Sequence, residues 1–290
     1  MNVFALDTRS APAGAGHSCV RNRVQQASCQ ACVLACSVDA VTVSDGKVYF
    51  DTEACIGCGA CQFACPTGAV DKLTLPRRHY RDGALVMPLS VAAPGVDELL
   101  MWHAEYQIRA VELHMALNPA WVMAIAALNL KLKQLRQPLW TILPPSVTAI
   151  DHARRHWLQI NNDKDNTASV TPGRRVRRAH FSAVSEYQLA LDQAACFLCG
   201  ACARVCPEGA IQLAGESMTL NHSRCTGCGS CEDVCFPHAI KVIQSDECTL
   251  TTLAIREIPC STCHRPFFAW TAQSQECPIC QRHHYGMREA

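Results

Sequence analysis

The chain has 290 residues, enough for two or three domains, and 49% of them are hydrophobic. Its 26 Lys and Arg nearly cancel its 25 Asp and Glu, which excludes a general electrostatic nucleic-acid binder. The longest apolar stretch, residues 120–128, is too short to span a bilayer, and residues 1–16 contain no apolar targeting core. A cytoplasmic protein is expected, with peripheral attachment to a membrane complex left open.

Two cysteine groups open the chain. Cys55-x2-Cys58-x2-Cys61-x3-Cys65-Pro66 is a full run of four, and Cys29-x2-Cys32-x3-Cys36 precedes its last three members by 29 residues. The same period requires a cysteine at position 26, where Gln26 stands; Cys19 lies seven residues earlier. An Ala and a β-branched residue follow each last cysteine in one frame, as Ala40-Val41 and Ala69-Val70, and should open short strands. Val41-Thr42-Val43, Asp45-Gly46 and Val48-Tyr49-Phe50 predict a hairpin.

Between residues 84 and 145 cysteine disappears and the periodicity changes. Strands are expected over 84–89, 109–114 and 140–144. Helices are expected over 95–106 and 118–137, the second opened by Asn118-Pro119 as N-cap and first-turn proline. This βαβαβ order implies a small parallel sheet with right-handed crossovers in an α/β domain over 84–160. No glycine-rich loop follows either strand, so dinucleotide binding is not expected. His103 and His114, with Glu105 and Glu112, place no trio on one face and read as structural rather than metal-ligating.

Residues 161–185 are polar, contain Pro172-Gly173 and read as an exposed linker. Arg174, Arg175, Arg177 and Arg178, with His180, are expected to carry solvated charge, with an acidic partner or lipid headgroups as the alternative. Residues 190–245 repeat the opening pattern. Cys196-x2-Cys199-x2-Cys202-x3-Cys206-Pro207 is followed 29 residues later by Cys225-x2-Cys228-x2-Cys231-x3-Cys235, and Ala210-Ile211 and Ala239-Ile240 keep the strand-opening frame.

Both pairs of runs resemble the bacterial-type 2[4Fe–4S] ferredoxins, over residues 17–75 and 190–245, including Pro66 and Pro207. The whole is similar to a polyferredoxin or to a ferredoxin-like subunit of a redox complex. The resemblance implies four [4Fe–4S] clusters, with the fourth cysteine of each run serving the other cluster of its module. Cys19, Cys29 and Cys32 would pair with Cys65, and Cys55, Cys58 and Cys61 with Cys36. Cys196, Cys199 and Cys202 would pair with Cys235, and Cys225, Cys228 and Cys231 with Cys206. Ser37 and Phe236 stand where the family has proline. At Gln26 two outcomes stay open: Cys19 loops back as the ligand, or the first cluster holds three irons. Zinc suits separated CxxC pairs and not runs with 2-2-3 spacing.

In residues 256–286 the spacing is of that separated kind. Cys260-x2-Cys263 and Cys277-x2-Cys280 make a four-thiolate set for zinc, with a rubredoxin-like iron as the alternative. The layout resembles a zinc ribbon, with Phe267, Phe268 and Trp270 expected to form its mini-core. Cys248 has no partner in these schemes and is expected to be a small buried hydrophobe. The architecture is thus α+β and multidomain: two ferredoxin-like dicluster modules, a βαβαβ domain between them and a zinc-ribbon-like knuckle pair. The function expected is relay of single electrons between redox partners as a ferredoxin-like subunit of an oxidoreductase complex, with catalysis left to those partners. A maturation factor for a metalloenzyme and an iron–sulfur sensor are the alternatives.

Overall fold

The computed structural model describes residues 14–145, 166–245 and 250–283. Two compact units divide the chain. The first takes residues up to Cys19 and then 30–180; the second takes residues from 181 onward together with residues 20–29, which carry helix α1 (Val20–Arg23).

In the first unit, two cysteine runs are threaded on very short elements. Helix α2 (Ala31–Leu34), the β2–β3 hairpin (Val41–Ser44 and Lys47–Phe50), helix α3 (Ala60–Ala64) and strand β4 (Val70–Asp71) follow in order, and β1 (Gly14–Ala15) pairs with β4. The hairpin turns at Asp45 and Gly46, both at positive φ (49° and 75°), the geometry that matches strand twist in a two-residue loop. Val41, Ala69 and Val70 are buried with Cys61 and Cys65, and Cys19, Cys32 and Cys36 pack around that knot.

The remainder of this unit is a five-stranded sheet. Strands β6 (Ala84–Val86), β7 (Ala110–Glu112) and β8 (Thr141–Leu143) are parallel, joined through α4 (Val96–Glu105) and α5 (Pro119–Gln134). This is the βαβαβ order expected from the periodicity. Two antiparallel strands that the periodicity did not suggest, β5 (Arg78–Arg81) and β9 (Asn166–Ala168), extend it to the order β8-β7-β6-β5-β9. Leu85, Leu99, Trp102, Val111, Trp121, Leu128 and Leu132 fill its core.

Strand β9 lies in the stretch expected to be an exposed linker, and so does helix α6 (Arg174–His180). That expectation is corrected for the described residues 166–180. Val170, Arg177 and Arg178 are buried, Arg177 forms an ion pair with Asp97 of α4, and the Arg174 amide donates to the Cys65 carbonyl at 3.1 Å. Arginine-rich sequence reads as solvated because burying a guanidinium requires partners, and sequence alone does not reveal the partner 80 residues away. The rest of the expected linker before residue 166, like Cys248, lies outside the described residues.

Several polar groups of this sheet domain have specific partners. Arg78 makes a two-point contact with Glu98, donates to the Ser90 hydroxyl at 2.9 Å and lies over the Trp121 ring. Glu112 pairs with Arg81, and Glu105 accepts from the Thr171 amide at 3.0 Å. His103 is 2% exposed, and its Nδ1 accepts from Trp140 Nε1 at 3.0 Å. Burial, reinforced by nearby Arg109, lowers the His103 pKa to about 4.

In the second unit, β10 (Tyr187–Leu191) pairs antiparallel with β13 (Ile240–Gln244), while β11 (Ile211–Ala214), β12 (Ser217–Asn221) and β14 (Leu250–Ala254) form a second sheet. Helices α7 (Ala201–Val205) and α8 (Ser230–Asp233) each follow the second cysteine of a run. Hairpin β15–β16 (Arg256–Pro259 and Pro266–Ala269) and helix α9 (Pro278–His283) complete it. The C-terminal region is not the separate knuckle its spacing suggests. Phe268 and Trp270, expected to build a mini-core of their own, pack on the module's core. Val20, Val24 and Ala27 are buried in the same unit against Val205 and Val234, beside Cys29 and Cys228.

The His103 pKa yields a pH dependence. The folded value lies below the unfolded one, so the unfolded state binds the extra proton and stability present above pH 6.5 is lost as pH falls toward 4. The stability of the sheet domain is expected to fall by an amount on the order of 3 kcal/mol across that window. His103→Gln, which keeps an acceptor for Trp140, should flatten that part of the profile in pH-dependent urea unfolding.

Candidate metal centres

The second unit gathers eight cysteines into two cavities. Cys196, Cys199, Cys202 and Cys235 line one, whose other walls include Leu191, Leu198, Leu213, Met218 and Ile240. Cys206, Cys225, Cys228 and Cys231 line the other, with Leu189, Ile211 and Val242. Each cavity takes three thiols from one run and its fourth from the last cysteine of the other run. The pairing of β10 with β13 brings the start of one run near the end of the other, because Asp192, just before the third run, donates its amide to the Ala239 carbonyl at 2.7 Å.

Electrostatics reports the same groups. Burial, reinforced by Cys196, Cys199 and Cys235, pushes the Cys202 thiol up to about 11. Cys231 is also raised, first by burial and then by Cys228, Cys225 and Cys206. Cys196 and Cys228 are raised for the same first reason. Four thiols in an apolar cavity cannot ionise together without a cation to hold the charge. The donor set and its surroundings fit an iron–sulfur cube, which needs one thiolate per iron.

Each fourth cysteine has an identical local partner. The amide of the residue four positions on donates to its Sγ: Ala40 to Cys36 at 3.2 Å, Ala69 to Cys65 at 3.2 Å, Ala210 to Cys206 at 3.3 Å and Ala239 to Cys235 at 3.2 Å. The residue just before each alanine has positive φ: Asp39, Gly68, Gly209 and His238. That left-handed step turns the next amide back onto the sulfur. Each alanine is at most 2% exposed, so a larger side chain has no room. The sequence shows these alanines as a repeated frame, but their role rests on a backbone amide and has no side-chain signature. The turn also survives where Ser37 and Phe236 replace proline.

The three-cysteine loops share a second device. In the second, third and fourth runs the residues flanking the second cysteine both have positive φ: Gly57 and Gly59, Leu198 and Gly200, Gly227 and Gly229. The first run departs from this as it departs in spacing. Gln30, after Cys29, has φ −129°, and Gln26 is exposed. Within the first unit, burial pushes the Cys61 thiol up to about 12, with Cys58, Cys32 and Cys55 adding to the shift. Cys32 is therefore near the thiols of the second run. Cys29 packs with Val20, Val24 and Ala27 in the second unit.

The tail cysteines also converge. The sulfurs of Cys260, Cys263, Cys277 and Cys280 all lie within 4.8 Å of one another, against about 3.8 Å for thiolates 2.3 Å from a tetrahedral zinc. The Cys277 amide donates to Cys260 Sγ at 3.3 Å, and backbone amides pull the Cys260 thiol down to about 6. Cys280 is driven up to about 12 by hydrogen bonding with its neighbouring thiols. The set fits one tetrahedral metal ion. His264 takes positive φ (56°) after its cysteine, where glycine would be the easier choice.

Two stretches of the chain match known families. Residues 195–240 match the 4Fe-4S dicluster domain and residues 48–71 the 4Fe-4S binding domain. An uncharacterized ferredoxin of Methanocaldococcus jannaschii is 47% identical over 47 residues, covering 14% of this chain and 28% of that one. The Ferredoxin 7Fe of Hydrogenibacillus schlegelii is 41% identical over 39 residues, 13% of this chain and 50% of its own. The formate dehydrogenase iron-sulfur subunit of Wolinella succinogenes is 54% identical over 39 residues, 13% of this chain and 20% of its own. The chain thus spans half or less of each of these relatives. It contains 4Fe-4S ferredoxin domains.

One position tests the loop geometry directly. Gly227 has φ +70°, and a Cβ there would meet the Tyr187 ring at 2.3 Å. Gly227→Ala is expected to destabilise the second unit by about 2–4 kcal/mol, combining left-handed strain with overpacking. Gly215→Ala, at φ +57° with open space around it, should show only about 1–2 kcal/mol. Thermal unfolding of the two variants separates the terms.

Proposed function

We propose that the protein is an electron carrier that relays single electrons between redox partners, as a ferredoxin-like subunit of an oxidoreductase complex. The observation that supports this best is the pair of four-thiol cavities side by side in the second unit, each closed by the fourth cysteine of the opposite run. Bound clusters would supply reversible one-electron chemistry. The chain's part is to bind and insulate. Cys196, Cys199, Cys202 and Cys235 would hold one cluster, and Cys206, Cys225, Cys228 and Cys231 the next. Amides of Ala210 and Ala239 donate to the Cys206 and Cys235 sulfurs, which favours their charged form and tunes potential. Apolar walls keep water away.

From the first two cysteine runs, Cys55, Cys58, Cys61 and Cys36 would serve one cluster, and Cys19, Cys29, Cys32 and Cys65 the other. The tail set would hold zinc. Similarity to a formate dehydrogenase iron-sulfur subunit supports a partner of the oxidoreductase kind, which would perform the catalysis. No helix among the described residues is long and apolar enough to cross a membrane. A cytoplasmic location suits so many free thiols.

Anaerobically reconstituted protein is expected to contain about sixteen irons and sixteen acid-labile sulfides, with about one zinc. About eight irons would sink the four-cluster reading. Cys206→Ser should disturb the cluster anchored by Cys225, Cys228 and Cys231 and spare the one on Cys196, Cys199 and Cys202; the opposite pattern in paramagnetic resonance overturns crossed ligation. Cys19→Ser should lose the first cluster or convert it to a three-iron form.

A further inference from the structure

Trp270 packs on the core of the second unit. Its indole Nε1 donates to the Cys196 carbonyl at 2.9 Å, and its ring, with Phe268, packs on the core that holds Cys202, Cys225 and Cys231. Cys196 opens the loop that supplies three thiols to the first cavity of this unit.

That loop carries strain its counterparts avoid. Leu198 has φ +54°, whereas Gly57 and Gly227 occupy the equivalent positions of the second and fourth runs. A branched side chain in this left-handed conformation costs about 1–2 kcal/mol and persists only where the surroundings over-determine it. Leu198 cannot leave its place cheaply, because it is 6% exposed and lines the cavity. The Trp270 bond fixes the carbonyl two residues before it.

Trp270 also lies within the sequence span of the four-cysteine set. It directly follows β16, and it sits in the stretch bracketed by Cys263 on one side and Cys277 on the other. A metal on Cys260, Cys263, Cys277 and Cys280 would close that stretch into a short loop and so restrain the indole.

We propose that the four-cysteine centre is a clamp on the neighbouring cluster site: its metal holds Trp270 against the Cys196 carbonyl and thereby sets how tightly the Cys196, Cys199, Cys202 and Cys235 thiolates retain their cluster. Trp270 is the positioning residue in this coupling. The inference rests on the iron–sulfur reading above and extends it, since spacing alone makes the two sites independent.

The test uses the full chain, reconstituted anaerobically with iron, sulfide and zinc, as wild type, Trp270→Phe, Cys280→Ser and the double variant. Two quantities are read: backbone hydrogen exchange over residues 197–203 against 226–231, and the rate of iron release to a ferrous chelator. Trp270→Phe keeps the packing and removes one hydrogen bond. It should raise exchange over 197–203 alone and speed release of one cluster's irons roughly fivefold. Cys280→Ser should do the same, and the double variant should be no faster than Cys280→Ser.

Unchanged exchange and release in Trp270→Phe, or additive effects in the double variant, overturn the clamp. Should Trp270→Phe not fold, wild type reconstituted with and without zinc decides: equal release rates overturn the proposal. If wild type takes up no iron at these thiols, the iron–sulfur reading falls and the clamp with it. If it takes up iron and all variants release it alike, the clamp alone falls.

Discussion

A thiolate buried among aliphatic side chains must have its charge held, and the fold is organised around that requirement. Burial, reinforced by neighbouring thiols, drives Cys61, Cys202 and Cys231 away from ionisation. A bound metal cube would supply compensation, and the protein contributes a preformed share. One left-handed residue turns the next backbone amide onto each fourth cysteine, at Ala40, Ala69, Ala210 and Ala239. The short helices and strands of both cysteine-rich regions follow from this. A chain that must present three sulfurs within seven residues and then turn an amide onto a fourth has little length left for regular structure.

Such regions bury little apolar surface of their own, and the rest of each unit supplies what they lack. In the second unit the supply comes from both directions along the chain. Val20, Val24 and Ala27 pack on Val205 and Val234, while Ile255, Phe268 and Trp270 join the core behind the cysteine loops. The ribbon-like hairpin is therefore a wall of the iron–sulfur module as well as the carrier of its own metal set. That dual position is what allows one centre to influence the other.

In the first unit the five-stranded sheet plays the supporting part, and several of its buried polar groups are specifically engaged. Arg78 is held by Glu98 and Ser90 over the Trp121 ring, and Arg177 by Asp97 at the start of α4. An unpaired guanidinium in these places would be strongly destabilising, so the pairs enforce one register between α4, α6 and the sheet. A cleft lined by the Ile56-Gly57-Cys58 loop and by residues 92–98 lies beside this arrangement.

Ligand chemistry and the alternation of strands and helices were legible in the sequence because both are local. A 2-2-3 spacing constrains sulfur positions within a single loop, and apolar periodicity marks elements within one window, so β6-α4-β7-α5-β8 and the Asp45-Gly46 hairpin appear where the pattern places them. The repeated alanines were visible too, but the amide bond that explains them was not, since every residue carries that donor. What only the tertiary structure decided depends on partners remote in the chain. Arg177 reads as solvated until Asp97 is found beside it, and residues 166–168 read as linker until β5 offers them an edge. Trp270 reads as part of a self-contained knuckle until the Cys196 carbonyl, 74 residues earlier, accepts its hydrogen bond. Spacing determines what a loop can bind; long-range packing determines which loops must hold still together.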